Sequence, residues 1–187
     1  MKYVFTIITL LCCSIIATAQ QKATDLDKSP MDMTYYPSNY PILKMNGKAK
    51  DQPIARVIYS RPLKSNRTIF GGIVKYGELW RLGANEATEL EVFRNVKIGG
   101  KVVPKGKYTL YCIPFENKWT IIINKDTFSW GSFTYNSKKD LCRIDIPVQT
   151  IDDTAEALTM YFDDKADGSS SLVMMWDNIK AVLPINL

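Results

Sequence analysis

At 187 residues, 46% hydrophobic and 23% charged, the chain has the size and make-up of one globular domain with its own core, not of a disordered tail or a multi-span membrane protein. The formal net charge of +5 is scattered among acids instead of gathered in a basic stripe, which sets nucleic-acid binding aside. The absence of histidine removes the usual base near neutral pH, the serine-triad relay and the imidazole metal ligands.

The chain opens Met1-Lys2-Tyr3, continues as an apolar and small-residue run from Val4 to Ile16, and reaches Ala17-Thr18-Ala19 before Gln20. A basic start, a hydrophobic stretch and a small-x-small exit predict a signal peptide over residues 1–19, and so an exported, periplasmic or secreted protein. The run is shorter than the roughly 20 residues a membrane span needs, so no span is expected after cleavage. Cys12 and Cys13 raise a lipoprotein alternative, ranked second because Leu10 and Leu11 are bulky where a lipoprotein peptidase takes small residues.

Residues 20–52 are polar and contain Pro30, Pro37 and Pro41, with Pro53 just beyond and tyrosines at 35, 36 and 40. Prolines at that density oppose both helix and ladder, which predicts an extended arm lying over the domain. From residue 53 to 187 the dominant signal has period two, in short runs of Val, Ile, Tyr, Phe and Thr between turn residues. Strands are expected at 54–60, 88–93, 96–98, 101–103, 107–113, 119–124, 141–148, 157–163, 171–176 and 178–183. Gly99-Gly100 suits the positive φ of a tight hairpin turn, and 114–118 reads as the loop of a second hairpin. Only 72–82 breaks the rhythm, as a short helix or turn-rich excursion. The fold class is therefore all-β, an antiparallel β-sandwich or jelly-roll-like barrel.

Two cysteines remain after cleavage, Cys112 and Cys142, both in strand-like segments of a chain bound for an oxidising compartment. They form either one cross-strand disulfide or two separate buried thiols.

Tyr59-Ser60-Arg61-Pro62, Arg67-Thr68-Ile69-Phe70-Gly71 and the long block from Tyr76-Gly77-Glu78-Leu79-Trp80-Arg81 to Leu82-Gly83-Ala84-Asn85-Glu86-Ala87-Thr88 resemble the signature of domain-of-unknown-function family 2911. Pro104 to Leu110, Trp119 to Lys125, Trp130-Gly131, Asp140 and Arg143 fit it as well. The resemblance runs from about Ile54 onward and implies a secreted or periplasmic protein of Gram-negative bacteria, with no assigned activity. One departure is Asn66, where members of that family often carry glycine.

Phe70-Gly71-Gly72 lacks the spacing and the Lys-Ser/Thr of a phosphate-binding loop. Asp163-Asp164, Asp167-Gly168 and Ser169-Ser170 offer oxygen ligands, but without the spacing of a calcium loop, and read as a hairpin turn. No metal and no cofactor are expected. The constellation that carries chemistry is Arg61, Trp80, Arg81, Asn85, Glu86 and Thr88. A guanidinium fork suits a carboxylate or phosphate, an indole face packs on a sugar ring or aliphatic chain, and Asn and Glu complete such a site through hydrogen bonds. The structural alternative pairs Arg61 or Arg81 with Glu86, gives Asn85 to a turn and Trp80 to the core. Among the remaining tryptophans, Trp119 and Trp176 are expected to pack inside, whereas Trp130 is the exposed aromatic of a second binding element.

Three functions follow. The first is a non-catalytic binding module for a small anionic or sugar-like ligand, a glycan or a peptide. The second is a carboxylate-dependent hydrolase or lyase with Glu86 as acid or base, Arg81 on an oxyanion and Glu78 or Asp140 as the second acid. The third is a structural or interaction protein of the envelope, using an exposed strand edge or the Pro-Tyr arm, whose tyrosines at 35 to 40 would be exposed.

Overall fold

The computed structural model describes residues 25–49 and 51–187, so the expected signal peptide, residues 1–19, lies outside the described residues. The described residues form nine strands: β1 Met31–Tyr36, β2 Ala55–Ser60, β3 Thr88–Val92, β4 Val96–Ile98, β5 Lys101–Val103, β6 Gly106–Pro114, β7 Lys118–Asn124, β8 Asp140–Asp164 and β9 Ser170–Asn186. One short helix, α1 Tyr40–Met45, follows β1. All pairings are antiparallel, in the order β1-β2-β3-β6-β7-β8-β9-β4-β5. The expected all-β antiparallel class is what forms, with hydrogen bonds linking the nine strands in one sheet. Among the described residues no helix is long and apolar enough to cross a membrane.

Period-two alternation places the core. Ala55, Val57 and Tyr59 of β2 and Leu90 and Val92 of β3 turn the same way and are buried. The central strands β6 and β7 are covered on both faces, so Tyr108 to Cys112 and Ile121 to Ile123 are buried without alternation, with only Thr109 polar among them. Gly99 and Gly100 both take positive φ, 54° and 78°, and close the β4–β5 hairpin as expected. Asn66 sits at φ 57°, a conformation natural to glycine and tolerated by asparagine, which accounts for either residue at that position.

The structure departs from the expected elements in two places. The expected strands at 141–148 and 157–163 are parts of the single strand β8, and those at 171–176 and 178–183 are parts of β9. The polar stretch Gln149 to Thr154 looks like a turn in sequence, but it is absorbed by register shifts between Thr150 and Ala155 and again up to Thr159. Strand β8 changes partner along its length: Asp140 to Pro147 pairs with β7, and Val148 to Asp164 pairs with β9.

The other departure is the arm. Residues 31–36 are edge strand β1, paired with β2 from Met31↔Ser60 to Tyr36↔Ala55. The prolines punctuate the segment without preventing order: Pro30 and Pro37 flank the strand and Pro41 lies in the first turn of α1, where its missing N–H costs nothing. Tyr36 and Tyr40 are buried, and Tyr36 stacks on Phe162 with centroids 5.9 Å apart.

The turn-rich excursion contains no helix. It returns to the sheet at Trp80, whose N–H donates to the Cys112 carbonyl (2.7 Å) while its own carbonyl accepts from Cys112 (2.8 Å). Ahead of the excursion, Leu158 N–H donates to the Pro62 carbonyl (3.0 Å) and Lys64 N–H to the Glu156 carbonyl (2.7 Å). The whole connection from β2 to β3 is thus tied to β8 near its beginning and to β6 at Trp80.

Candidate functional site

The segment from Trp80 to Thr88 is held as a closed loop. Thr88 N–H donates to the Arg81 carbonyl (3.1 Å) and Thr88 Oγ1 to the Leu82 carbonyl (2.7 Å), while Leu82 and Asn85 both take φ 56°. Thr88 is fully buried in this clasp and is not in the wall of the cavity at Arg81. Farther along, Ala87 N–H donates to the Ser129 carbonyl (2.9 Å) and Gly131 N–H to the Asn85 carbonyl (2.8 Å). This short ladder sets Glu86 opposite Trp130.

A cavity of about 200 Å³ opens beside the loop, lined by Ser29, Pro62, Arg67, Trp80, Arg81 and Trp176 among others. Trp80 and Trp176 are 7% and 2% exposed and stack with centroids 5.9 Å apart. Trp80 Nε1 donates to the Gly83 carbonyl (3.0 Å), whereas the buried Nε1 of Trp176 has no hydrogen-bond partner among the described residues. Arg81 is half-buried. Its Nε is buried without a partner, and among the described residues its guanidinium has no carboxylate within ion-pair distance. Burial pushes its pKa below the usual arginine value, with no neighbouring acid to oppose the shift. Arg67, at the same cavity, donates to the Lys64 (2.9 Å) and Leu63 carbonyls and likewise pairs with no described carboxylate.

A second, more open hollow of about 440 Å³ is lined by Asp27, Ser29, Met31, Asn85, Glu86 and Trp130. Ser29 belongs to both walls. Trp130 is 61% exposed and stacks on exposed Phe133, with planes 18° apart. Asp27 Oδ1 accepts from Ser29 N–H (2.6 Å), while exposed Glu86 makes no ion pair with a described residue.

The expected constellation is therefore divided. Arg81 and Trp80 meet at one cavity; Asn85, Glu86 and Trp130 meet at the next. Arg61 drops out. Its Nη1 donates to Asp32 (3.1 Å), its Nη2 to Thr159 Oγ1 (3.0 Å) and its Nε to the Leu158 carbonyl (3.2 Å), so it fastens β1, β2 and β8. Neither arginine pairs with Glu86, and the structural alternative that joined them is replaced by the Arg61–Asp32 pair. Trp80 satisfies both readings, as a core residue whose buried ring also walls the cavity.

The family of unknown function described as Protein of unknown function (DUF2911) matches residues 42–185. The chain belongs to this family. No curated protein and no solved structure matches the chain. The family match spans β2 to β8 and all of β9 but Asn186, and it contains the whole loop from Trp80 to Thr88 together with Trp130 and Trp176. Asp27, Ser29 and Met31 lie ahead of it.

The two carboxylates considered as partners for Glu86 are engaged elsewhere. Glu78 lies 3.9 Å from Lys75 Nζ. Asp140 accepts from the Tyr135 hydroxyl (2.7 Å), Arg143 Nε (2.9 Å) and Asn124 Nδ2 (2.7 Å), and neither acid lines the hollow at Glu86. Asp140 instead clasps the 125–139 loop to the sheet. Burial, together with the negative Asp140, pushes the Tyr135 pKa up to about 12. Cys112 and Cys142 are both free thiols. They lie on β6 and β8, with β7 between them: Cys112 faces Ile121 and Cys142 faces Ile123. Two strand spacings alone put them at least about 9 Å apart, and the two-residue stagger along β7 adds to that, so they lie beyond the ~7 Å reach of a disulfide.

Sequence reasoning missed Arg67, Ser29 and the unpartnered indole of Trp176 as parts of the site. Arg67 was visible inside the family motif. Ser29 gave no signal, because only the pairing of β1 with β2 brings its segment beside the loop.

Proposed function

We propose that this domain is a binding module for a small anionic ligand, held by Arg81 in the cavity walled by Trp80 and Trp176. The observation that carries the reading is the half-buried guanidinium of Arg81, which has a buried Nε without a partner and no described carboxylate beside it. A buried charge left uncompensated is costly, and an anion entering the cavity supplies the missing acceptor. Trp176 Nε1 is a second donor without a partner, and Arg67 adds positive charge at the same wall. No cofactor is needed for such capture. The leader-like residues 1–19 support a place of action in the periplasm or outside the cell.

The test is titration calorimetry of acetate, citrate and phosphate into the mature chain and its Arg81→Gln variant. Binding by the parent that the variant loses by about tenfold or more, the size of one charge-assisted hydrogen bond, supports the reading. Equal binding by both proteins overturns it.

A further inference from the structure

The two hollows carry opposite charge. Along the closed loop, Arg81 lines the first and Asn85 and Glu86 line the second, with Ser29 in the wall of each. The first is lined by Arg81, Arg67 and Trp176, whose side-chain nitrogens are all donors. The second brings the carboxylates of Asp27 and Glu86 against the broad exposed face of Trp130. A bare anion is served by the first and repelled by the second. Glu86 has no ion pair with any described residue, so its charge is available to a ligand cation. An ammonium beside a carboxylate and over an indole face gains from both.

We infer that the ligand is a short zwitterionic peptide, with its terminal carboxylate on Arg81 and its amino terminus at Glu86 and Asp27. This rests on the reading of the Arg81 cavity as an anion site. A single α-amino acid holds both charges on one carbon and so places them in the same hollow. Each further residue extends the chain by up to about 3.3 to 3.6 Å, which separates the two end charges and lets each enter its own hollow. Asn85 lines the second hollow and Ser29 lines both, so an amide and a hydroxyl are at hand for a peptide backbone, whose N–H and C=O groups need such partners. Trp130 then covers the amino-terminal side chain.

The experiment is titration calorimetry on the mature chain with trialanine, its N-acetyl form, its C-terminal amide and acetate, repeated on Glu86→Gln and Arg81→Gln. Glu86 is exposed, so its variant keeps the fold. Trialanine is expected to bind about tenfold or more tightly than either blocked form. Glu86→Gln should erase the preference over the N-acetyl form and leave the preference over the amide; Arg81→Gln should do the reverse. If the N-acetyl form binds as well as trialanine while the amide does not, the peptide reading falls and the anion site stands. If acetate and the blocked and unblocked peptides all fail to bind, both readings fall.

Discussion

Trp80 and Trp176 stack with centroids 5.9 Å apart and planes 23° apart, and both edge-face contacts of Phe70, at 6.1 and 6.3 Å, brace the pair. Trp119 closes the cluster at 5.9 Å from Trp80. The wall of the proposed binding cavity is thus part of the hydrophobic core, and its shape is fixed before any ligand arrives.

That placement separates the tryptophans by cost. Trp80→Ala should destabilise the domain by about 3 to 5 kcal/mol, as large-to-small changes in a packed core do. Trp130→Ala should stay within about 0.5 kcal/mol. Urea denaturation followed by circular dichroism checks both, and a costly Trp130→Ala would mean that its stack on Phe133 is structural.

The two arginines of the motif should behave in opposite ways. Arg61→Met removes one half-exposed ion pair and two hydrogen bonds that fasten β1 to β8, for a loss of about 1 to 2 kcal/mol. Arg81→Met removes a charge that has no described partner and should leave stability equal or higher. Denaturation midpoints of the two variants decide the matter. If Arg81→Met costs as much as Arg61→Met, the guanidinium has a structural acceptor.

Gly72 is a third test. A Cβ there would stand 2.3 Å from the carbonyl oxygen of Thr68, and backbone has no rotamer by which to retreat. Gly72→Ala should cost about 1 to 3 kcal/mol as an overpacked site. It should also disturb the adjacent Ile73 and Val74 at the cavity wall, so ligand affinity falls with stability. A melting temperature unchanged from the parent would show that the turn relaxes freely.

At high pH the Tyr135 clasp should fail. Its pKa is raised from 10.0 to about 12, chiefly by burial and then by Asp140, so the neutral hydroxyl is the form the fold favours. The contribution is complete below pH 10 and is lost as pH rises through about 12, because the unfolded chain ionises first. Stability measured across that window should fall less steeply in Tyr135→Phe than in the parent. Identical slopes would assign the alkaline loss to other tyrosines, of which Tyr36, Tyr59 and Tyr108 are also raised by burial.

Alternation of apolar residues along the chain determined the strands, and with them the antiparallel class, because burial of one face enforces period two whatever the partner strand. The Gly99-Gly100 turn and the inward packing of Trp119 and Trp176 were legible for the same local reasons. The Trp-Arg block could be seen as chemically unusual, and the exposed Trp130 could be singled out from its polar loop. Partner choice was not legible. That Arg61 meets Asp32 and Thr159 follows from the pairing of β1 with β2 and the return of β8, contacts spanning up to 98 residues of chain. That Arg81 meets no acid among the described residues follows from the same arrangement. Two arginines of identical chemistry, twenty positions apart in one motif, received opposite roles because long-range packing alone decides which charge finds a carboxylate and which is left facing a cavity.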